Sequence, residues 1–187
     1  MIEVRPAEKS DMPKILDLHV RSWRENYTKN ISKEFLESSK VEENRKAVWS
    51  TRFNANNPNQ YVAVAEYRNN FAGFVCIFLN KHEKMGTLID NLHVEPEYRK
   101  MGIGTHLLNK AAKWIHENSK GNGVYLEVYS ENGRAREFYK SIGGTQTTEQ
   151  PFVVDAVDGG KTLSYHMQWK SPEILLANTK EKIGDIE

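Results

Sequence analysis

Cysteine is almost absent: Cys76 is the only one in 187 residues. One thiol closes no intramolecular disulfide and builds no Cys-based zinc cluster, so packing must hold the chain together. Charge of one sign is also missing. Lys and Arg number 26 against 25 Asp and Glu, a formal net charge of +1, which supplies no global basic field for nucleic acid. Basic residues do not interleave with aromatics in the manner that stacks single strands. Long apolar runs are lacking too; the longest clean one, Phe74 to Leu79, is far too short to span a bilayer. The opening Met1-Ile2-Glu3-Val4-Arg5 alternates like a strand and has no signal-peptide core. Histidines 19, 82, 93, 106, 116 and 166 form no His-Glu-x-x-His or comparable pattern, so no catalytic metal is expected. With 27% charged and 39% apolar residues, disordered and fibrous classes are excluded and a single core is affordable by size. The expectation is a cytoplasmic single domain over residues 1–170, with 171–187 a short helix or loose tail, away from membranes and nucleic acid.

Along the chain, Ile2 to Arg5 reads as a strand closed by Pro6. Asp11 is placed to cap a helix carrying Met12, Ile15, Leu16, His19 and Trp23 on one face. Further helical stretches start near Ser32 and run from Val41 to Phe53, before an Asn-rich loop with Pro58. Tyr61 to Tyr67 and Phe71 to Leu79 read as strands around Arg68-Asn69-Asn70, where the Asn pair tolerates a hairpin's positive φ. Cys76 lies inside the second of these and reads as a core residue. Thr87 to Val94 completes an antiparallel meander.

After Pro96 the period changes. Ile103, Leu107, Leu108, Ala111, Ala112 and Ile115 recur at helical spacing. A strand at Val124 to Val128, a helix at Asn132 to Ile142, and a hairpin from Thr145 to Trp169 turning at Asp158-Gly159-Gly160 follow. Ser171-Pro172-Glu173 has the form of a helix start. The order is α+β with one strand–helix–strand crossover in its middle, and ligands favour such a crossover beyond the strand ends.

The crossover opens with Arg99-Lys100-Met101-Gly102-Ile103-Gly104-Thr105. Two glycines at a helix start let main-chain N–H groups approach a ligand, and those first N–H groups have no helical partner and sit at the positive end of the dipole. Between Arg99 and Gly121 stand Arg99, Lys100, Lys110, Lys113 and Lys120 against the single acid Glu117, a local +4 inside a neutral chain. This is a pyrophosphate site by composition. A Walker A loop is absent, and the dinucleotide fingerprint fails because Leu107 stands where its third glycine belongs.

These residues resemble the acetyl-CoA signature of the GNAT acetyltransferase superfamily, Arg/Gln-x-x-Gly-x-Gly/Ala. Leu126-Glu127-Val128, then Asn132, Ala135, Phe138, Tyr139 and Gly143, resemble its downstream motif, and Val4-Arg5-Pro6-Ala7 with Asp11 its opening. The resemblance spans roughly residues 2 to 169 and departs at Gly144, where the family usually has an aromatic, a change expected to loosen the strand that follows. It implies a mixed, mostly antiparallel sheet of about seven strands with a splayed parallel central pair and about four to five helices. It further implies direct transfer from acetyl-CoA to a primary amine, with main-chain groups of Leu92, His93 and Val94 along the pantetheine arm. The main chain of Lys100, Met101, Gly102, Ile103, Gly104 and Thr105 would then hold the pyrophosphate near Arg99, with Asn132 on the arm and Tyr139 protonating the leaving thiolate. A non-catalytic acyl-CoA sensor, or an enzyme acting on a protein N-terminus or lysine, remains compatible.

An alkylamine with a pKa near 10.4 is neutral in about one molecule in 2,500 at pH 7, a deficit of roughly 4.6 kcal/mol. A base, a water chain or desolvation must offset it. Asp90 and Glu127 lie on the two strands that would splay, and His93 has a suitable intrinsic pKa; a water-relayed path fits equally. Strand alternation puts Asp90, Leu92 and Val94 on one face, with Asn91 and His93 on the other. Trp23 and Tyr27, four apart on a helix, form either a core pair or an acceptor wall, and Trp23-Arg24-Glu25-Asn26-Tyr27 resembles a GNAT branch acting on small amines, including polyamines. Glu34, Glu37, Glu42 and Glu43 are offset by Lys33, Lys40, Arg45 and Lys46, which reads as a solvated face. The apolar final hairpin and Ile174-Leu175-Leu176 leave monomer and homodimer open.

Overall fold

The computed structural model describes residues 1–185. Its elements run β1 (Ile2–Pro6), α1 (Met12–Asn26), α2 (Lys33–Glu37), α3 (Lys40–Asn54), β2 (Gln60–Tyr67), β3 (Asn70–His82), β4 (Gly86–Val94), α4 (Ile103–Asn118), β5 (Val124–Tyr129), α5 (Gly133–Ser141), β6 (Thr145–Gln146), β7 (Phe152–Asp155), β8 (Lys161–Trp169) and α6 (Pro172–Gly184). The β2–β3 hairpin turns on Arg68 and Asn69, with φ of 51° and 64°, one residue earlier than the Asn pair. Asn70 already belongs to β3 and faces Tyr67.

The strands form one sheet in the order β1-β2-β3-β4-β5-β8-β6, with β7 also on β8. Eight strands stand where about seven were expected, because the first arm of the last hairpin breaks in two. Thr148 turns its hydroxyl onto Gln150 O at 2.7 Å, and Pro151 has no N–H to give a ladder. Every pairing is antiparallel except β4 with β5. That parallel pair touches only at Thr87–Val124 and Leu88–Tyr125, then parts.

At the vertex of this opening Gly86 has a φ of 85°, and a Cβ there would lie 2.0 Å from Gly123 O. Two glycines allow the strands to meet at a point, and Thr87 N–H bonds Gly123 O at 2.9 Å.

Two cores flank the sheet. On one face α4 buries Leu107, Leu108, Ala111, Ala112 and Ile115 among strand residues such as Val75 and Ile77. On the other, Ile15, Leu18 and Trp49 close over Val64, Phe74 and Cys76. Cys76 has no exposed surface, and burial pushes its thiol up to about 12. The 171–187 segment contains the helix α6, seated on α4 through fully buried Leu175 and an Asn109–Thr179 side-chain bond of 3.1 Å.

Two local expectations change. Asp11 does not cap α1 with its side chain. Its carboxylate accepts Glu8 N–H at 2.8 Å and two bonds from Arg5 at 2.8 and 2.9 Å, while Arg5 also reaches Glu66 at 2.7 Å. Both carboxylate oxygens are thus taken by Arg5, six residues earlier, and by the turn that precedes α1, so neither is left for the first turn of the helix. Gly144 leaves no loose spot either: a Cβ there would come within 2.8 Å of the Trp169 ring, and Trp169 is locked by its indole N–H on Ile142 O at 2.8 Å.

Candidate active site

A cavity of about 980 Å³ follows the opening between β4 and β5. Beyond Leu88, β4 has no strand partner on its β5 side among the described residues. Leu92, His93 and Val94 line the cavity there, leaving an edge on which an extended ligand can pair as a strand would.

At the far end of β4 the chain turns through Lys100 and Gly102, with φ of 65° and 84°, into α4. Lys100, Gly102, Ile103, Gly104 and Thr105 all line the cavity. Among the described residues, the N–H groups from Gly102 to Thr105 find no backbone acceptor. They are the cap and first turn of a sixteen-residue helix, the positive end of its dipole. These residues fit a pyrophosphate. Met101 departs from the expectation: its N–H is taken by Tyr98 O at 3.4 Å, and its side chain packs on the core instead of lining the cavity. Arg99 lines the cavity but is already engaged, its two terminal nitrogens holding the Glu25 carboxylate at 2.5 and 2.6 Å. Lys100, Arg134 and Lys182 supply further positive charge around the same cavity.

Across the opening, α5 brings Phe138 and Tyr139 to the cavity wall together. Tyr139 is 9% exposed, and burial raises its phenol above the ordinary value, so it keeps its proton. Asn132 caps α5, its Oδ1 accepting Ala135 N–H at 3.2 Å; its amide nitrogen is the part left for a ligand.

The base candidates separate. β4 bulges, with Cys76 facing Asn91 and Ile77 facing Ile89, so Asp90 is the extra residue. The bulge overturns the alternating faces: adjacent Asp90 and Asn91 both meet Arg52, at 2.6 Å each. Asp90 is therefore an ion-paired carboxylate. His93 is buried with Nδ1 2.8 Å from Ser22 Oγ, and burial lowers its pKa to about 4. Glu127, exposed on β5 and facing His166 across the ladder, lines the cavity with no cation partner among the described residues.

At the acceptor end, Trp23 and Tyr27 are both a packed pair, with centroids 5.6 Å apart, and cavity wall. Tyr129 closes on Tyr27 edge-on at 4.9 Å. Arg45, read from sequence as part of a solvated face, instead enters this cavity and stacks 4.1 Å over the Trp23 ring. Sequence reasoning missed Arg45 and Arg52 because α3 carries no clean apolar stripe to say which of its faces turns inward; it missed Tyr129 because its partner Tyr27 lies far earlier in the chain, at the end of α1. Among the described residues no cluster of metal-binding side chains occurs, and no helix is long and apolar enough to cross a membrane.

The model of the acetyltransferase (GNAT) family matches residues 13–143, well over half of the chain. The chain belongs to the GNAT family. An uncharacterised N-acetyltransferase of Methanocaldococcus jannaschii is 28% identical over 144 residues, covering 75% of this chain and 59% of that protein. Streptothricin acetyltransferase A of Bacillus subtilis is 30% identical over 132 residues, covering 71% and 62%. The matches thus span about three fifths of those relatives' length. The PaiA N-acetyltransferase of Thermoplasma acidophilum, solved with coenzyme A, superposes with a TM-score of 0.67 at 21% identity over 91% of this chain and 99% of that one. The GNAT fold that the resemblance implied, with its parted parallel pair, is thereby established.

Proposed function

We propose that this GNAT protein is an acetyl-CoA-dependent N-acetyltransferase that acts on a primary amine of a small molecule, without a covalent enzyme intermediate. The observation that carries this reading is one cavity bounded by a turn of unpaired N–H groups and, across the parted strands, by a buried protonated phenol. When bound, acetyl-CoA supplies an activated acetyl thioester. Lys100 and the N–H groups from Gly102 to Thr105 hold the diphosphate, the free edge of β4 aligns the arm, and Asn132 anchors it. Glu127, directly or through water, takes a proton from the acceptor ammonium and passes it to solvent; unlike Asp90 it is not held by an arginine. As the new C–N bond forms and the C–S bond breaks, Tyr139 gives its proton to sulfur and recovers one from the nitrogen. The products are the N-acetyl amine, the CoA thiol and one released proton. Tyr139 serves as general acid because negative charge developing on sulfur inside the cavity is poorly solvated, and a proton from the phenol neutralises it. Cavity and helix dipole favour bound anion over membrane or nucleic acid as a partner.

The test is thiol release from acetyl-CoA with a panel of amino acids, polyamines and aminoglycosides. Amine-dependent release supports the enzyme. Micromolar acetyl-CoA binding without release by any of them overturns it in favour of an acyl-CoA sensor.

A further inference from the structure

Two charged ends of the cavity differ. Arg99 and Lys100 stand at the turn into α4, where the phosphates are assigned; Arg45 and Arg52 line the same cavity with Asp90 and Glu127. The second set is not one of interchangeable charges. Arg52 is satisfied by Asp90 and Asn91. Arg45 has no carboxylate partner among the described residues. It donates from Nε to Asn44 Oδ1 at 3.0 Å, and from one terminal nitrogen to the same oxygen. Its other terminal nitrogen has no partner among the described residues, and the residue lines the cavity. The guanidinium is half-buried with its carbon 4.1 Å from the Trp23 ring centroid, and burial lowers its pKa to about 10.

A desolvated cation without a counter-ion is costly unless something completes it. The indole beside it offsets part of that cost; a carboxylate, which guanidinium takes through charge-assisted bonds, would complete the cation. A polyamine entering here would meet Arg45 unshielded and would find Asp90 already committed to Arg52. We propose that Arg45 is an acceptor-recognition residue, and that the acceptor is a small molecule carrying a carboxylate together with its amine, of the amino-acid class, instead of a polyamine. The proposal rests on the acetyltransferase reading of the same cavity and names its substrate class. Trp23 then has two tasks, walling the acceptor and backing the guanidinium.

The experiment compares α-amino acids with the amines made by their decarboxylation: lysine with cadaverine, ornithine with putrescine, phenylalanine with phenethylamine, methionine with 3-(methylthio)propylamine. Spermidine is added. Each pair keeps the side chain and differs only in the carboxylate. For acceptors that turn over, kcat/KM for the amino acid should exceed that of its amine by about 10- to 100-fold, the size of a charge-assisted bond pair. Arg45→Gln should remove that ratio by raising KM for the amino acid, and Arg45→Lys should keep part of it. Thermal denaturation checks that both variants fold. Bare amines or spermidine matching or beating the amino acids overturn the assignment, as does a ratio unchanged in Arg45→Gln.

Failure of the acetyltransferase reading looks different: no acceptor releases thiol. In that case calorimetric titration of each pair into the CoA-saturated protein decides. Carboxylate-dependent binding lost in Arg45→Gln upholds the site, and equal or absent binding of both members overturns it.

Discussion

Trp49 donates its indole N–H to His19 Nδ1 at 2.9 Å, which fixes the tautomer of a histidine with no exposed surface. The imidazole proton must then sit on Nε2, an atom that finds no partner among the described residues. The ring of His93 lies 4.7 Å away, centroid to centroid. Beyond them stand Arg45 and Arg52, whose charges oppose protonation of His19, as Arg45 does for His93. This packing places two neutral imidazoles behind the acceptor end of the cavity.

A pH dependence of stability follows. Both rings titrate near 6.5 in the unfolded chain, while burial keeps folded His93 neutral down to about 4 and holds His19 well below its ordinary value. Between those limits the unfolded chain binds more protons, so this contribution is full above pH 6.5 and is lost as pH falls toward 4. The slope is up to about 1.4 kcal/mol per pH unit for each ring. Urea midpoints at pH 7.5, 6 and 5 should fall in that order, and His93→Gln should flatten the decline. A midpoint constant across the window contradicts it.

Tyr139→Phe removes one oxygen from a wall that otherwise stays packed against Trp169. Turnover should fall about 100-fold or more, the scale of a lost general acid, while the acetyl-CoA dissociation constant changes by less than about twofold. Single-turnover kinetics with equilibrium binding separates the two. Parallel losses in both would mean that the ring only supports the fold.

Gly102→Ala forces a side chain into a left-handed conformation with φ of 84° at the head of α4, a strain of about 1–2 kcal/mol. Relief of the strain would turn the N–H groups away from the cavity. Acetyl-CoA affinity should drop roughly tenfold, one decade per 1.4 kcal/mol, with the far-UV spectrum retained. Unchanged affinity would place the diphosphate elsewhere.

Which features were legible depended on how far apart in the chain their causes lie. The glycine turn and the helix behind it are contiguous, so spacing alone exposes them. Tyr139 and Asn132 could be named through a resemblance to known proteins, whereas as bare residues they carry little signal. Asp90 and Asn91 share one guanidinium only because β3 offers one residue too few opposite β4, and period-two alternation has no means of announcing a bulge. Arg99 looked like a free cation because Glu25 lies 74 positions earlier. Arg45 looked solvated because i and i+4 charges on α3 cancel on paper, while docking of α3 against α1 and the sheet decides which of them is desolvated.

The contact between Gly86 and Gly123 is a fulcrum. From Thr87 the strand β4 runs seven residues to Val94, ~23 Å at ~3.3 Å each. A tilt of ~5° about the glycines would displace its far end by ~2 Å, when reacting atoms tolerate misplacement of only ~1 Å. Neither glycine lines the cavity, yet the gauge of the gap in which donor and acceptor meet is set between them.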